Sequence, residues 1–160
     1  MAIHDIRTNK REAGGGGASP TILKAVLAED FSLLNSTTAT DTGLEKELES
    51  GKAYFLDLRL ILDATVNCYA TPSLVFTGTS SVKYASEIKE VNSLLAPLGT
   101  KDLFSSYITY AGPEREQRYS GYIRTTSSGT LKVQIRQAII HATDTANLLA
   151  GSKIECEKVI

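Results

Sequence analysis

The stretch AYFLDLRLILDA, residues 53–64, alternates without a break. Tyr54, Leu56, Leu58, Leu60 and Leu62 fall on one side of an extended chain, and Phe55, Asp57, Arg59, Ile61 and Asp63 on the other. A period of two held over this length predicts a β-strand with one buried face. A helix would scatter the leucines around its circumference. A strand so one-sided needs a second apolar layer against its leucines, and that requirement governs the rest of the fold.

The remaining texture is that of an all-β protein: short apolar runs between Thr, Ser, Gly, Asp and Asn clusters. TLKVQIRQAIIHA repeats the alternation, with Leu131, Val133, Ile135 and Ile139 inward and Lys132, Gln134 and Arg136 outward. RYSGYIRTT and GTLKVQI flank TTSSG and read as a hairpin, with Gly129 supplying a positive φ. PSLVFTG is a short strand opened by Pro72, which donates no ladder hydrogen bond. DFSLLN, GLEKELE, DLFSSYITYA and the last run, SKIECEKVI, supply further strands. One segment differs: KYASEIKEVNSLLAPLG sets Ile88, Val91, Leu94 and Leu95 at helical spacing, predicting a short helical loop stopped by Pro97 and Gly99. Asn35-Ser36-Thr37 predicts a turn that folds on its own backbone, Gly51 and Gly151 bends ahead of strands, and Gly121 a bulge or close neighbour. The expected architecture is a jelly-roll β-sandwich of about eight strands.

The texture changes near residue 28, which predicts an extended N-terminal arm over 1–28 and a jelly-roll domain over 29–160. The arm contains KREAGGGGASPT, whose Gly14, Gly15, Gly16 and Gly17 read as a flexible hinge. Residues 1–24 carry a net charge of +2 and the remainder −3, a basic arm on an acidic body. Ile3, Ile6, Ile22 and Leu23 are apolar anchors along it, and Arg7, Lys10 and Arg11 can pair with acidic groups on another surface. The overall charge of −1 offers no field for nucleic acid or an acidic membrane. A chain of 160 residues can bury a core without metal or disulfide staples. Cys68 and Cys156 sit in apolar strand-like settings and are expected as free buried thiols. MAIHDIRTNKRE lacks the apolar run of a secretory signal, and no window approaches the ~18 apolar residues of a membrane span. These features suit synthesis in a reducing cytoplasm.

Catalytic groups do not converge in the sequence. His4 lies in the arm and His141 ends a strand, without HxH, HExxH or a Cys/His cluster around either. GxSxG and GxxxxGK[ST] are missing, and Gly14–Gly17 lacks the Lys-Ser/Thr of a phosphate loop. Asp57 and Asp63 share a face and could form a glycosidase pair, but Arg59 between them favours a solvated, self-neutralising strand. PEREQR, residues 113–118, reads as a solvated loop opening a strand. Phe55, Ile61 and Ile140 are apolar residues on otherwise polar faces and mark a candidate subunit interface. No catalytic residue, metal or cofactor is expected.

Two long stretches carry a resemblance. DFSLLNSTTATDTGLEKELESGKAYFLDLRLILDA runs from a strand through an Asn-Ser-Thr turn, Asp-Thr and a short strand to an aromatic-led long strand. RYSGYIRTTSSGTLKVQIRQAIIHATDTANLLAGSKIECEKV runs from a Gly-centred strand through a tight turn and a small polar loop to a Gly-Ser that opens the last strand. This layout resembles a jelly-roll domain of tailed-bacteriophage virion proteins, found in capsid decoration (cement) proteins and in tail and baseplate proteins. The resemblance implies a non-enzymatic structural protein on the exterior of the capsid, a homotrimer attached to the major capsid protein through its arm. A shorter chain than a tail fibre favours decoration over a tail or baseplate role. From another class, a carbohydrate-binding jelly roll would need exposed aromatic platforms. The chain has no Trp, leaving Tyr107, Tyr110, Tyr119 and Tyr122, of which half or more are expected inward.

Overall fold

The computed structural model describes residues 20–65, 67–91, 94–101 and 111–159. The arm contacts expected of Ile3, Ile6, Arg7, Lys10, Arg11 and Gly14–Gly17, and the strand expected over DLFSSYITYA with Tyr107 and Tyr110, lie outside the described residues apart from Ala111.

Eleven strands follow one another, with no helix among the described residues: β1 Ile22–Val26, β2 Phe31–Leu34, β3 Thr40–Leu48, β4 Ala53–Ala64, β5 Ala70–Phe76, β6 Ser80–Val91, β7 Leu94–Lys101, β8 Gly112–Thr125, β9 Gly129–Gln137, β10 Thr145–Leu148 and β11 Lys153–Lys158. They form two antiparallel sheets. The larger follows the path β1-β11-β4-β8-β6-β7, with β10 bridging β2 to the end of β4, and the smaller is β3-β9-β5. From β3 to β6 the chain passes between the sheets at every step, and it crosses again from β8 to β9 and back, which is jelly-roll winding.

The leucine face of β4 sets this arrangement. Leu58, Leu60 and Leu62 are fully buried, as are Leu74, Leu131 and Ile135 from the smaller sheet. Each such side chain contributes about 1.5–3 kcal/mol by leaving water. Cys68 and Cys156 are both buried free thiols, and burial pushes the Cys156 thiol up to about 12. Asn35 takes a left-handed φ of 53° in the expected Asn-Ser-Thr turn, where the Thr38 N–H donates to Ser36 Oγ at 3.2 Å. Gly51 and Gly151 bend the chain with φ of 68° and 88°.

Several local expectations are corrected. The helical segment is the antiparallel hairpin β6–β7, with Val91 opposite Leu94 and Ile88 opposite Pro97. Pro97 is compatible with a strand because β7 is the outermost strand of its sheet among the described residues. The large sheet also begins before residue 29: β1 pairs along β11, from Ile22 opposite Glu157 to Val26 opposite Lys153. ATDTANLLA is not only a loop, since β10 lies within it. PEREQR belongs to β8, with Gln117 buried and Glu116 opposite Ile61. Gly121 sits in unbroken register between Leu56 and Ala85, without a bulge. The register slips at Gly43 instead, between Asp41 and Glu45, with a φ of 81°.

Ile139 is 54% exposed rather than inward, because β9 ends at Gln137 and that residue takes the last inward position. Its buried amide donates to the carbonyls of Leu33 at 3.2 Å and Asp144 at 2.7 Å, and its oxygen accepts from the Ser36 N–H at 3.1 Å. These bonds satisfy the backbone where three loops meet.

The expected β8–β9 hairpin is a crossover, since β8 lies in the large sheet and β9 in the small one. The β5–β6 connection crosses beside it, with the Thr126 N–H donating to Thr79 O at 2.8 Å and the Thr79 N–H to Ser127 Oγ at 2.9 Å. Gly129 serves this corner by its size, not by a positive φ. A Cβ there would lie 2.3 Å from the backbone nitrogen of Gly78.

Candidate assembly surface

The outward residues of the large sheet fall into rows set by strand register. One row is Ile22, Glu157, Phe55 and Tyr122 across β1, β11, β4 and β8. The next is Lys24, Glu155, Asp57 and Ser120, and the third is Val26, Lys153, Arg59 and Arg118. Ile61 and Glu116 stand in the fourth.

The first row is the apolar part. Ile22 is 60% exposed and Phe55 48% exposed, and the Phe55 ring meets Tyr122 at 5.4 Å between centroids. Val159 is exposed beside them, its N–H donating to Ala53 O at 2.8 Å. Leu23 points the other way and packs against the core. A groove of about 500 Å³, lined in part by Leu23, Lys46, Glu49 and Gly129, opens beside β1.

The charged rows are only partly neutralised. Lys153 Nζ pairs with Glu155 at 2.8 Å, and Lys24 reaches the same carboxylate at 3.5 Å. Arg118 Nε pairs with Glu116 at 2.6 Å. Arg59 stands between Lys153 and Arg118, an unfavourable placing for three cations in cross-strand register. Its Nε is buried without a hydrogen-bond partner. Asp57, two residues away on the same face, has no side-chain partner among the described residues.

Phe55 and Ile61 share this face, separated by about 20 Å of strand and by Asp57 and Arg59. Ile140, 55% exposed, belongs elsewhere. It lies on the loop after β9, where the Ile139 N–H donates to Cys68 O at 3.2 Å. That end of the sandwich is tied by Asp144, whose carboxylate accepts from Thr65 at 2.6 Å and Asn67 at 2.8 Å. His141 Nδ1 accepts the Asp144 N–H at 3.2 Å, so His141 holds a loop beyond the strand end. Tyr119 is buried and Tyr122 half-buried. Among the described residues, no group of three or more His, Cys, Asp or Glu side chains is placed to hold a metal ion.

The surface carboxylates give the fold a pH dependence. The Lys153 ammonium beside Glu155, the Lys132 ammonium bonded to Asp41, the Lys158 ammonium bonded to Glu49, and the Thr65 and Asn67 donors on Asp144 hold these four carboxyls below their ordinary values. Their stabilisation is fully present above the ordinary values of 4.5 and 3.8 and is lost as pH falls through the lowered ones. Lys132 and Lys158 are raised by Asp41 and Glu49, so their contribution is present below 10.5 and lost above it. Thermal melts are therefore expected to show a plateau at neutral pH and a decline below about pH 4. An unchanged melting temperature at pH 3 would contradict these pairings.

No protein-family model matches the chain, and no curated protein matches its sequence. Solved structures do. A chain of infectious bursal disease virus, Gt strain, superposes with a TM-score of 0.55 at 10% identity over 86% of this chain and 33% of that one. A chain of the Gx strain superposes with a TM-score of 0.52 at 9% identity over 98% and 37%. This chain thus spans about a third of the length of those it matches. The likeness is one of fold: the molecule is an all-β sandwich of a kind found in a virus. At 9–10% identity these two structures show the fold alone, and they do not point to the tailed-phage type.

Proposed function

We propose that the chain is a non-enzymatic structural component of a virus particle. Its role is that of a homotrimeric decoration protein, held on the exterior of the shell by its N-terminal arm against the major capsid protein. The observation that carries this reading is the sandwich shared with chains of infectious bursal disease virus, at TM-scores above 0.5 and over most of this chain. Supporting it, β1 is the outermost strand at its end of the large sheet among the described residues, with Ile22 exposed where the preceding residues join. An arm entering there can reach a neighbouring surface without disturbing the core. Contacts made only in the assembled shell stabilise it by mass action, and a bridging trimer multiplies them.

Removal of residues 1–19 leaves β1 in place and is expected to leave a folded protein that no longer binds particles, read by co-sedimentation. Normal decoration by the truncated chain would sink the arm assignment. Copy number on purified particles decides between shell and tail: hundreds of copies fit decoration, and a handful fits a baseplate or fibre component. A purified chain that stays monomeric in native mass spectrometry would overturn the trimer.

A further inference from the structure

The outer face of β4 reads Phe55, Asp57, Arg59, Ile61: apolar, negative, positive, apolar. Reversed end to end, this series is its own complement. Asp57 and Arg59 are also the two charges on the strand that find no side-chain partner within the described residues, although the neighbouring pair Lys153–Glu155 closes at 2.8 Å. With the cations Lys153 and Arg118 as its cross-strand neighbours, the Arg59 guanidinium finds no counter-charge beside it in register, and a carboxylate from a second copy would supply one.

We propose that this face is a two-fold contact between two copies of the chain, stacked with their β4 strands antiparallel. The axis lies in the plane between the two sheets, perpendicular to β4 and level with Leu58. It sets Asp57 over Arg59 of the second copy and Phe55 over Ile61 of the second copy, each pair occurring twice. On β11 the same operation sets Lys153 over Glu155 of the second copy, again opposite in sign. The alternative two-fold axis, running along β4, would set Asp57 on Asp57 and Arg59 on Arg59, and like charges forbid it. The four strands β1, β11, β4 and β8, over the length from Phe55 to Ile61, give a footprint on the order of 400 Å² per copy. That is small, so the contact is weak in solution and gains strength where copies are concentrated. The contact goes beyond the proposed function and does not depend on it, since two-fold stacking can join monomers, or join trimers built on another surface.

Sedimentation velocity on the purified chain tests it. The mass of the basic unit is expected to double reversibly as concentration rises into the high micromolar range. R59D alone and D57R alone should each weaken the association at least tenfold, and the D57R/R59D double variant should restore it. A mass that does not double up to about 1 mM, or a double variant as weak as the singles, overturns the proposal. Disulfide trapping supplies a readout independent of affinity. An oxidised mixture of Phe55→Cys and Ile61→Cys chains should cross-link to each other well ahead of either variant alone, with native Cys68 and Cys156 buried and silent. Equal rates of homodimer and heterodimer cross-linking would contradict the antiparallel register.

Discussion

Leu60→Ala is expected to cost about 3 kcal/mol and to lower the melting temperature by roughly 10 °C. Leu60 lies in the middle of β4 and is fully buried. It faces the layer formed by Leu74, Leu131, Val133 and Ile135 of the smaller sheet. Truncation removes its transfer free energy and leaves a cavity that two sheets, fixed by their ladders, close poorly. Asp57→Asn on the opposite face of the same strand should change stability by no more than about 0.5 kcal/mol. Urea denaturation of both variants makes the comparison. A loss below about 1 kcal/mol at Leu60 would mean that the leucine face is not closed as described.

Gly129→Ala is expected to destabilise by a similar amount, about 3 kcal/mol, for the opposite reason. The new methyl would meet the Gly78 nitrogen at 2.3 Å and its Cα at 2.7 Å, both backbone atoms of the neighbouring crossover. Neither can swing aside as a flexible side chain would. The corner must open, straining the Thr79–Thr126 and Thr77–Thr130 bonds that join the two connections. Gly43 makes the instructive control. It has a φ of +81° and open space where a Cβ would stand, so Gly43→Ala costs only the left-handed conformation, about 1 kcal/mol. Equal losses at the two glycines would show that the crossovers do not approach so closely.

Much of the fold was legible in the sequence because alternation reports burial directly. Tyr54, Leu56, Leu58, Leu60 and Leu62 are all inward, as the period of two requires. Alternation does not report partners. A turn-like TTSSG joins two strands equally well in one sheet or across two, and only the packing of Gly129 on Gly78 distinguishes these arrangements. In the sequence Pro97 reads as a helix stop, because its place on the outermost described strand is a property of topology. Ile139 reads as inward in the sequence because the pattern continues past the point where Gln137 ends β9. Of the candidate surface, Phe55 and Ile61 were visible as apolar residues on a polar face. The unmatched state of Arg59 was not, because it depends on which side chains from β8 and β11 stand beside it, and on Glu116 and Glu155 being already engaged.

The pairing of β1 with β11 has a mechanical side. The ladder starts where the Lys158 N–H meets Thr21 O at 2.9 Å and ends where the Leu27 N–H meets Ser152 O at 2.8 Å. Tension on the chain ahead of Thr21 acts first on this short ladder. Pulled along its own axis, β1 loads its hydrogen bonds together and resists in shear. Pulled sideways, it peels from Thr21 one bond at a time. A tether anchored through this strand is therefore strong in one direction and yielding in the other, and the angle at which the chain leaves the sheet decides which.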